Sequence, residues 1–323
     1  MKFNLRLFKN RYARLVIYPL IFIAIYPLLT QAVNVLQANN GFELDGALIP
    51  IDKILHGGPT RDGIPAIDKP RFVSAKEADF LRDDDRILGV ERNGVRKAYP
   101  VRILNHHEIV NDRFADEAIV VTFCPLCGTG MAFSATVGGK ERSFGVSGLL
   151  YLSDVLLYDR QSESLWSQID RLAISGPMKG ARLQQVALTH TSWKAWKAKG
   201  DTQVLSMDTG YRRDYSKSPY GNYNESEAIY FPVGSIDKRF HPKEQVIGLE
   251  LNGQFKAYPF AELTNTTSPL SDMLGGQAVS IHFDAAQRSG TVYDHTGQEI
   301  PTVIAFWFAW SSFHPKGEVY RAP

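Results

Sequence analysis

Two stretches of the chain share one pattern, and this internal repeat constrains the fold more than any other feature of the sequence. Residues 87–100 (ILGVERNGVRKAYP) match residues 246–259 (VIGLELNGQFKAYP) at a constant offset of 159. Each copy places an Asn-Gly pair between two apolar runs, which is the strongest short-range signal for a β-hairpin. Each copy therefore predicts two antiparallel strands joined by a tight turn.

The residues after each copy extend the repeat. Pro100 and Pro259 suit the first position of a short helix, and apolar strands follow at residues 118–123 and 278–283. We expect an α+β, β-rich fold with two degenerate hairpin–helix–strand modules, module one at 85–206 and module two at 244–315. The block from about 133 to 206 predicts a mostly β insert, with one helix near 191–197.

The N-terminal segment has the pattern of an export signal. Residues 1–14 carry five basic side chains and no acid, and the apolar run at 15–29 is uncharged, with weaker apolar character to 36. This pattern predicts either a transmembrane anchor or a signal peptide, with the basic flank in the cytoplasm. We expect residues 1–38 to form this segment in the cytoplasmic membrane. A Gly/Pro-rich arm at 39–84 and an exported, periplasmic domain at 85–323 would follow.

Charge excludes one class of partner. The formal net charge is +2, but without the first 14 residues the chain has 31 basic and 34 acidic side chains, a net charge of −3. No basic patch indicates nucleic-acid binding. The membrane, contacted through residues 15–36, is therefore the one partner that the sequence predicts. A small-molecule or protein partner is left undefined.

The most distinctive chemical feature is the pair Cys124 and Cys127 in the run CPLCG, the only two cysteines of the chain. The second copy of the repeat has Asp284 where the first has Cys124, so the thiols are not part of the shared scaffold. Four interpretations stay open. The pair is a structural disulfide, a thiol–disulfide redox centre in which Cys124 attacks and Cys127 resolves, a metal knuckle, or two small buried thiols.

Two of these interpretations predict different surroundings. A redox pair needs a helix that begins at the first cysteine and lowers its pKa, but Gly128 and the residues after it predict a turn and a strand. A metal knuckle needs a further ligand, and His107 is the expected third one, with His106 and His282 as alternatives. Glu108 would orient an imidazole or act as a general base. Such a mixed site suits zinc, or copper if Met131 takes part.

Several runs of the sequence, taken together, resemble the prokaryotic family called domain of unknown function 3179. These runs are residues 57–59, 62–65, 97–100, 105–112, 124–129, 144–149, 158–160, 165–168 and 305–310. The resemblance implies no activity, because none is established for the family. It does imply that His107, Glu108 and the cysteine pair belong to one pattern. It also singles out a polar–aromatic set of Ser147, Asp154, Tyr158, Asp159, Arg160, Trp166 and Gln168.

Overall fold

The computed structural model describes residues 39–323. The predicted anchor or signal segment at 1–38 lies outside these residues. Among the described residues, no helix combines the length and the apolar character needed to cross a membrane. The described chain is rich in β-structure with four short α-helices, as expected for a β-rich α+β protein.

The secondary-structure elements run along the chain as follows. The strands are β1 (Ile54–His56), β2 (Phe72–Ser74), β3 (Arg86–Arg92), β4 (Val95–Pro100), β5 (Ile109–Phe114), β6 (Glu117–Cys124), β7 (Thr129–Ser134), β8 (Thr136–Val137), β9 (Lys140–Glu141), β10 (Phe144–Tyr151), β11 (Asp154–Asp159), β12 (Leu165–Ser167), β13 (Leu172–Ala173), β14 (Gln185–Val186), β15 (Thr189–Ser192), β16 (Gln203–Leu205), β17 (Gln245–Leu251), β18 (Gln254–Pro259), β19 (Leu270–Leu274), β20 (Gln277–Asp284), β21 (Ser289–Asp294), β22 (Glu299–Ile300), β23 (Val303–Phe306) and β24 (Glu318–Val319). The helices are α1 (Val101–Leu104), α2 (Trp193–Lys197), α3 (Phe260–Leu263) and α4 (Trp307–Phe313).

Both predicted hairpins form. Strand β3 pairs with β4 and β17 pairs with β18, each in antiparallel register around its Asn-Gly turn. In the first turn Asn93 and Gly94 have φ values of 51° and 74°, and in the second Asn252 and Gly253 have 51° and 75°. Positive φ at both central residues defines the turn whose twist matches that of the paired strands. The Asn-Gly signal therefore identified the hairpins and their register.

The helix after the first hairpin is shorter than the sequence pattern suggested. Helix α1 ends at Leu104, and the chain turns through residues 105–108 before β5 begins at Ile109. His106 and His107 therefore lie in the turn after this helix and not on it. Pro100 precedes α1 as its N-cap residue instead of opening its first turn.

The same order of elements surrounds both hairpins. The first lies in the spatial order β15-β3-β4-β16 and the second in the order β23-β17-β18-β24. A helix with a Trp-x-Ala-Trp run connects the outer strands in each case. The ring of Trp196 covers Gly89, where an added Cβ would lie 2.4 Å from the ring, and Trp310 covers Gly248 at 2.2 Å. Only glycine leaves space for a ring packed this closely on a strand.

The eight-stranded sheet joins elements from the two halves of the chain. Its main order is β24-β18-β17-β23-β7-β6-β5, so the second hairpin continues through β23 into the strands that carry the cysteines. Strand β23 pairs with β7 at Ile304 and Gly130. The main-chain nitrogen of Phe306 donates to the main-chain oxygen of Cys127 at 2.8 Å. The cysteine turn therefore lies where the two halves meet.

The segment between β7 and β15 contributes four strands of a five-stranded sheet with the order β1-β10-β11-β12-β13, and β1 comes from the Gly/Pro-rich arm. Helix α2 follows at 193–197, within the range expected for it, and the Ser192 hydroxyl caps it by accepting from the Ala195 nitrogen at 3.1 Å. The long connection at 206–244 contains one short 3-10 helix, Tyr223–Glu225, between β16 and β17. Connections of this length commonly carry function.

A Lys–Asp ion pair supports the scaffold in each half, and it is buried in the first half and partly buried in the second. Lys97 on β4 contacts both carboxylate oxygens of Asp112 at 2.9 Å, and the Tyr99 hydroxyl donates to the same carboxylate. In the second half Lys256 contacts Asp272 at 2.7 Å. Because both copies have the Lys–Asp pair, we assign it to the architecture and not to a site of chemistry.

Candidate metal centre

The two thiols lie at the tip of the β6–β7 hairpin. Cys124 ends β6 and Cys127 stands in the turn that follows, and their residues are only 1% and 0% exposed. Gly128 closes the turn with a φ of 62°, and a Cβ there would lie 2.8 Å from the Phe306 ring. Glycine is therefore required both for the backbone conformation and for space.

A tight turn between β10 and β11 brings a carboxylate to these thiols. Leu152 and Ser153 have φ values of 50° and 68°, a left-handed conformation that non-glycine residues seldom adopt. Asp154 follows this turn, and one of its carboxylate oxygens lies within 4.8 Å of both sulfurs, as the sulfurs do of each other. Strain of this kind persists only where the surrounding structure enforces it. Here it positions Asp154.

Hydrogen bonds only partly satisfy this group of Cys124, Cys127 and Asp154, which we call the CCD group. The Ser153 main-chain oxygen accepts from the Cys127 thiol at 3.2 Å and lies 3.8 Å from the Cys124 sulfur. The Ile169 nitrogen donates to Asp154 Oδ2 at 3.1 Å. Asp154 Oδ1 is buried without a hydrogen-bond partner, as are the Ser153 hydroxyl and the Gln168 side-chain oxygen. Such buried orphan atoms commonly indicate an ion or water.

Burial also disfavours the charged forms of the CCD group. It raises the pKa of Cys124, raises that of Cys127 well above its usual value, and raises the pKa of Asp154 to about 8. Each shift arises first from the loss of solvation around an anion. A bound cation would offset this penalty and stabilise the deprotonated ligands.

Glu108 lies beside the CCD group without joining it. Its φ of 58° is left-handed, and its main-chain oxygen accepts from the Phe123 nitrogen at 2.7 Å, next to Cys124. The carboxyl group is buried and accepts from the Tyr220 hydroxyl at 3.2 Å. Burial raises its pKa to about 7. Glu108 therefore has the proton affinity expected of a general acid or base near neutral pH.

Both ring nitrogens of His107 have hydrogen-bond partners outside the CCD group. Its Nδ1 lies 2.8 Å from the Pro65 main-chain oxygen and its Nε2 lies 2.6 Å from the Tyr215 hydroxyl. Burial lowers its pKa to about 4. Among the described residues, the group that could hold a metal ion with the two thiols contains the Asp154 carboxylate and does not include the His107 imidazole.

The other histidines are equally occupied or distant. His106 contacts the Lys217 main-chain oxygen, and the exposed His282 contacts the Ser280 hydroxyl. His190 lies buried in β15 and accepts from the Gly130 nitrogen at 3.1 Å.

The residues of the polar–aromatic set lie in separate parts of the structure. Asp159 binds Arg142 and the Trp166 indole in a buried network, whereas Tyr158 and Arg160 contact Asp62. Only Asp154 joins the thiols. The resemblance implied that Asp154 belongs to this set but assigned it no role. Its position directly after a two-residue turn was the one local signal that could have indicated its place beside the thiols.

The surroundings also include residues from the long connection that sequence reasoning missed. The Lys243 ammonium group lies 3.7 Å from the centre of the Tyr223 ring, and both residues are buried. Loss of solvation lowers the pKa of Lys243 to about 8, and the charge of the nearby Cys127 acts against this decrease. A cation near the thiols would help to stabilise negative charge on them. No sequence motif marks either residue.

Fold and site together define a β-rich protein with a buried cysteine–cysteine–aspartate group at the junction of its two halves. A family model described as a protein of unknown function, DUF3179, matches residues 61–317, and the chain belongs to this family. No curated protein matches the chain, and neither does any solved structure.

Proposed function

We propose that the protein binds a transition-metal ion through Cys124, Cys127 and Asp154. The observation that carries this proposal is the mutual approach of the three ligand atoms within 4.8 Å, in a site where all three residues are buried. Two thiolates and one carboxylate form a mixed donor set of the kind that zinc accepts. The orphan Oδ1 of Asp154 supplies a free lone pair at the same place.

The donor set favours zinc over copper. Cu(I) selects soft sulfur ligands, whereas zinc binds thiolates and carboxylates alike. Three protein ligands leave one coordination position in a tetrahedral site, as in zinc enzymes. Glu108 is the candidate general base beside that position.

A redox role fits this arrangement less well. Thiol–disulfide exchange requires an accessible thiolate with a lowered pKa. Here both thiols are buried, their pKa values are raised, and residues 125–128 form a turn that leads into strand β7. The main feature of redox cysteine pairs, a helix beginning at the first thiol, is replaced by a hairpin.

Metal analysis of the full-length protein tests the proposal. We expect about one zinc ion per chain in the wild type and a loss of most of it in Cys124→Ser and in Asp154→Asn. His107→Gln is the matched control and should keep its zinc. Circular dichroism of each variant would establish that it is folded. Metal-free wild type, or full zinc in Asp154→Asn beside loss in His107→Gln, would contradict the assignment.

We further propose that residues 15–36 anchor the protein in the cytoplasmic membrane with the CCD group on the periplasmic side. The basic flank and uncharged apolar run support this orientation. Protease added to intact spheroplasts should digest the domain, and deletion of residues 1–38 should leave it in the cytoplasm. Protection in spheroplasts would overturn the orientation.

A further inference from the structure

A cavity of about 300 Å³ lies next to the CCD group. Leu126, which stands between the two cysteines, forms part of its wall, and so does Val155, which follows Asp154. The Gly/Pro-rich arm, strand β10 and the long connection at 206–244 enclose the rest. The lining residues are Gly57, Pro59, Ile64, Glu108, Leu126, Val146, Gly148, Leu149, Leu150, Val155, Pro219, Tyr220, Tyr230 and Phe231.

The described side chains that line this cavity are mostly apolar. Glu108 is the one acidic side chain among the lining residues, and in the described part of the chain no lysine, arginine or histidine joins it. Apart from two tyrosines, the remaining lining side chains are apolar or glycine. An anion entering this space would lose its hydration and meet no cationic side chain among the lining residues, which is costly. A hydrogen-bond donor would meet the Glu108 carboxyl group.

Close backbone packing and a left-handed residue fix the shape of the cavity wall. Gly148 has a φ of 75°, and a Cβ there would lie 2.2 Å from the Pro59 main-chain oxygen. The arm therefore approaches β10 as closely as the backbone allows. Glu108 has a left-handed conformation, and the Tyr220 hydroxyl orients one of its carboxylate oxygens. Both features hold the wall in one shape and leave the second carboxylate oxygen available to a ligand.

We infer that this cavity binds a small, mainly apolar molecule with one hydrogen-bond-donating group, an amine or a hydroxyl, that contacts Glu108. Because a water molecule occupies about 30 Å³ of liquid, the volume admits a ligand of roughly ten non-hydrogen atoms. This inference deepens the proposed metal centre, and its designation as the substrate pocket of that centre rests on the proposed function. Ligand binding itself does not require the metal.

Benzylamine, benzyl alcohol and benzoate test the inference, because they share one ring and differ in the polar group. Each is titrated into the full-length protein in detergent micelles and followed by saturation-transfer NMR, with empty micelles as the blank. We expect benzylamine and benzyl alcohol to bind, and benzoate to bind about tenfold more weakly or less, since its charge would be buried unpaired.

Two variants locate the binding. Ile64→Trp fills the cavity from a partly exposed position and should weaken benzylamine binding by about tenfold or more. Met273→Trp adds the same ring at an exposed position on β19 and should leave binding unchanged. Glu108→Gln should weaken benzylamine binding by about tenfold and change that of benzyl alcohol little, because only the amine carries a charge.

Equal binding of benzoate and benzylamine, or wild-type binding by Ile64→Trp, would overturn the inference. Metal content, measured on the same samples, separates the two proposals. Zinc-bound protein that does not discriminate among the three ligands refutes the ligand inference alone. Metal-free protein that does discriminate refutes the metal centre and supports the ligand inference.

Discussion

The Cys127 thiol donates a hydrogen bond to the main-chain oxygen of Ser153, across 3.2 Å. This bond joins the cysteine turn to the strained turn before Asp154, so it connects the eight-stranded sheet, which contains β6 and β7, to the five-stranded sheet, which contains β10 and β11. The contact suits a protonated thiol, because a carbonyl oxygen accepts and cannot donate.

Slow alkylation of both thiols is the first prediction. Because burial raises the pKa of Cys124 and Cys127 and shields them, iodoacetamide should modify folded, metal-free protein far more slowly than the protein unfolded in guanidinium. Mass spectrometry after timed quenching measures this directly. Rapid modification of Cys124 in the folded protein would instead favour the redox interpretation.

The Lys97–Asp112 pair leads to a second prediction, on stability. Their side chains are 8% and 5% exposed. Lys97→Met leaves the Asp112 charge buried without its partner, which should lower the free energy of unfolding by about 3–5 kcal/mol. Guanidinium denaturation measures the change.

Lys197→Met is the matched control for that substitution. Lys197 contacts Asp83 at 3.2 Å, but these side chains are 45% and 64% exposed. Removing a solvated pair should change stability by less than about 1 kcal/mol. Equal effects of the two substitutions would show that the buried group does not support the scaffold.

His190 gives a prediction for pH. Burial lowers its pKa to about 3, whereas a histidine in an unfolded chain titrates near 6.5. Between these values the unfolded state binds a proton that the folded state does not. His190 therefore contributes a loss of stability as the pH falls below about 6.5, of about 1.4 kcal/mol per unit, and contributes none at higher pH.

Denaturation of His190→Gln at a series of pH values from 7 to 4 tests this effect. The variant should lose less stability on acidification than the wild type, while the exposed-site variant His282→Gln should follow the wild type. Curves for His190→Gln and wild type that stay parallel over this range would mean that His190 does not titrate differently on unfolding.

Each element that was predicted correctly from the sequence has its signal in a few neighbouring residues. Both Asn-Gly hairpins, the strands after them and helix α2 depend on turn chemistry, apolar runs and a serine cap, all within a few neighbouring residues. The extent of α1 was misjudged because apolar residues continue beyond Leu104, and tertiary pairing places Ile109 and Val110 in a strand.

The third candidate ligand, Asp154, was not found from local signals. Asp154 reaches the thiols through the pairing of β10 with β11 and the packing of two sheets, which local patterns do not encode. His107 was favoured because it is close in sequence to the pair and because histidine is a common zinc ligand. The structure gives both of its nitrogens other partners, Pro65 and Tyr215. Distances between remote strands decided the composition of the group.

X-ray absorption spectroscopy at the zinc edge of the metal-loaded full-length protein tests the central claim most directly. We expect two sulfur ligands at about 2.3 Å and at least one oxygen ligand at about 2.0–2.2 Å, and loss of the protein oxygen contribution in Asp154→Asn if that variant retains the metal. A spectrum without sulfur ligands, or one that Cys124→Ser leaves unchanged, would contradict the assignment of the metal centre to Cys124, Cys127 and Asp154.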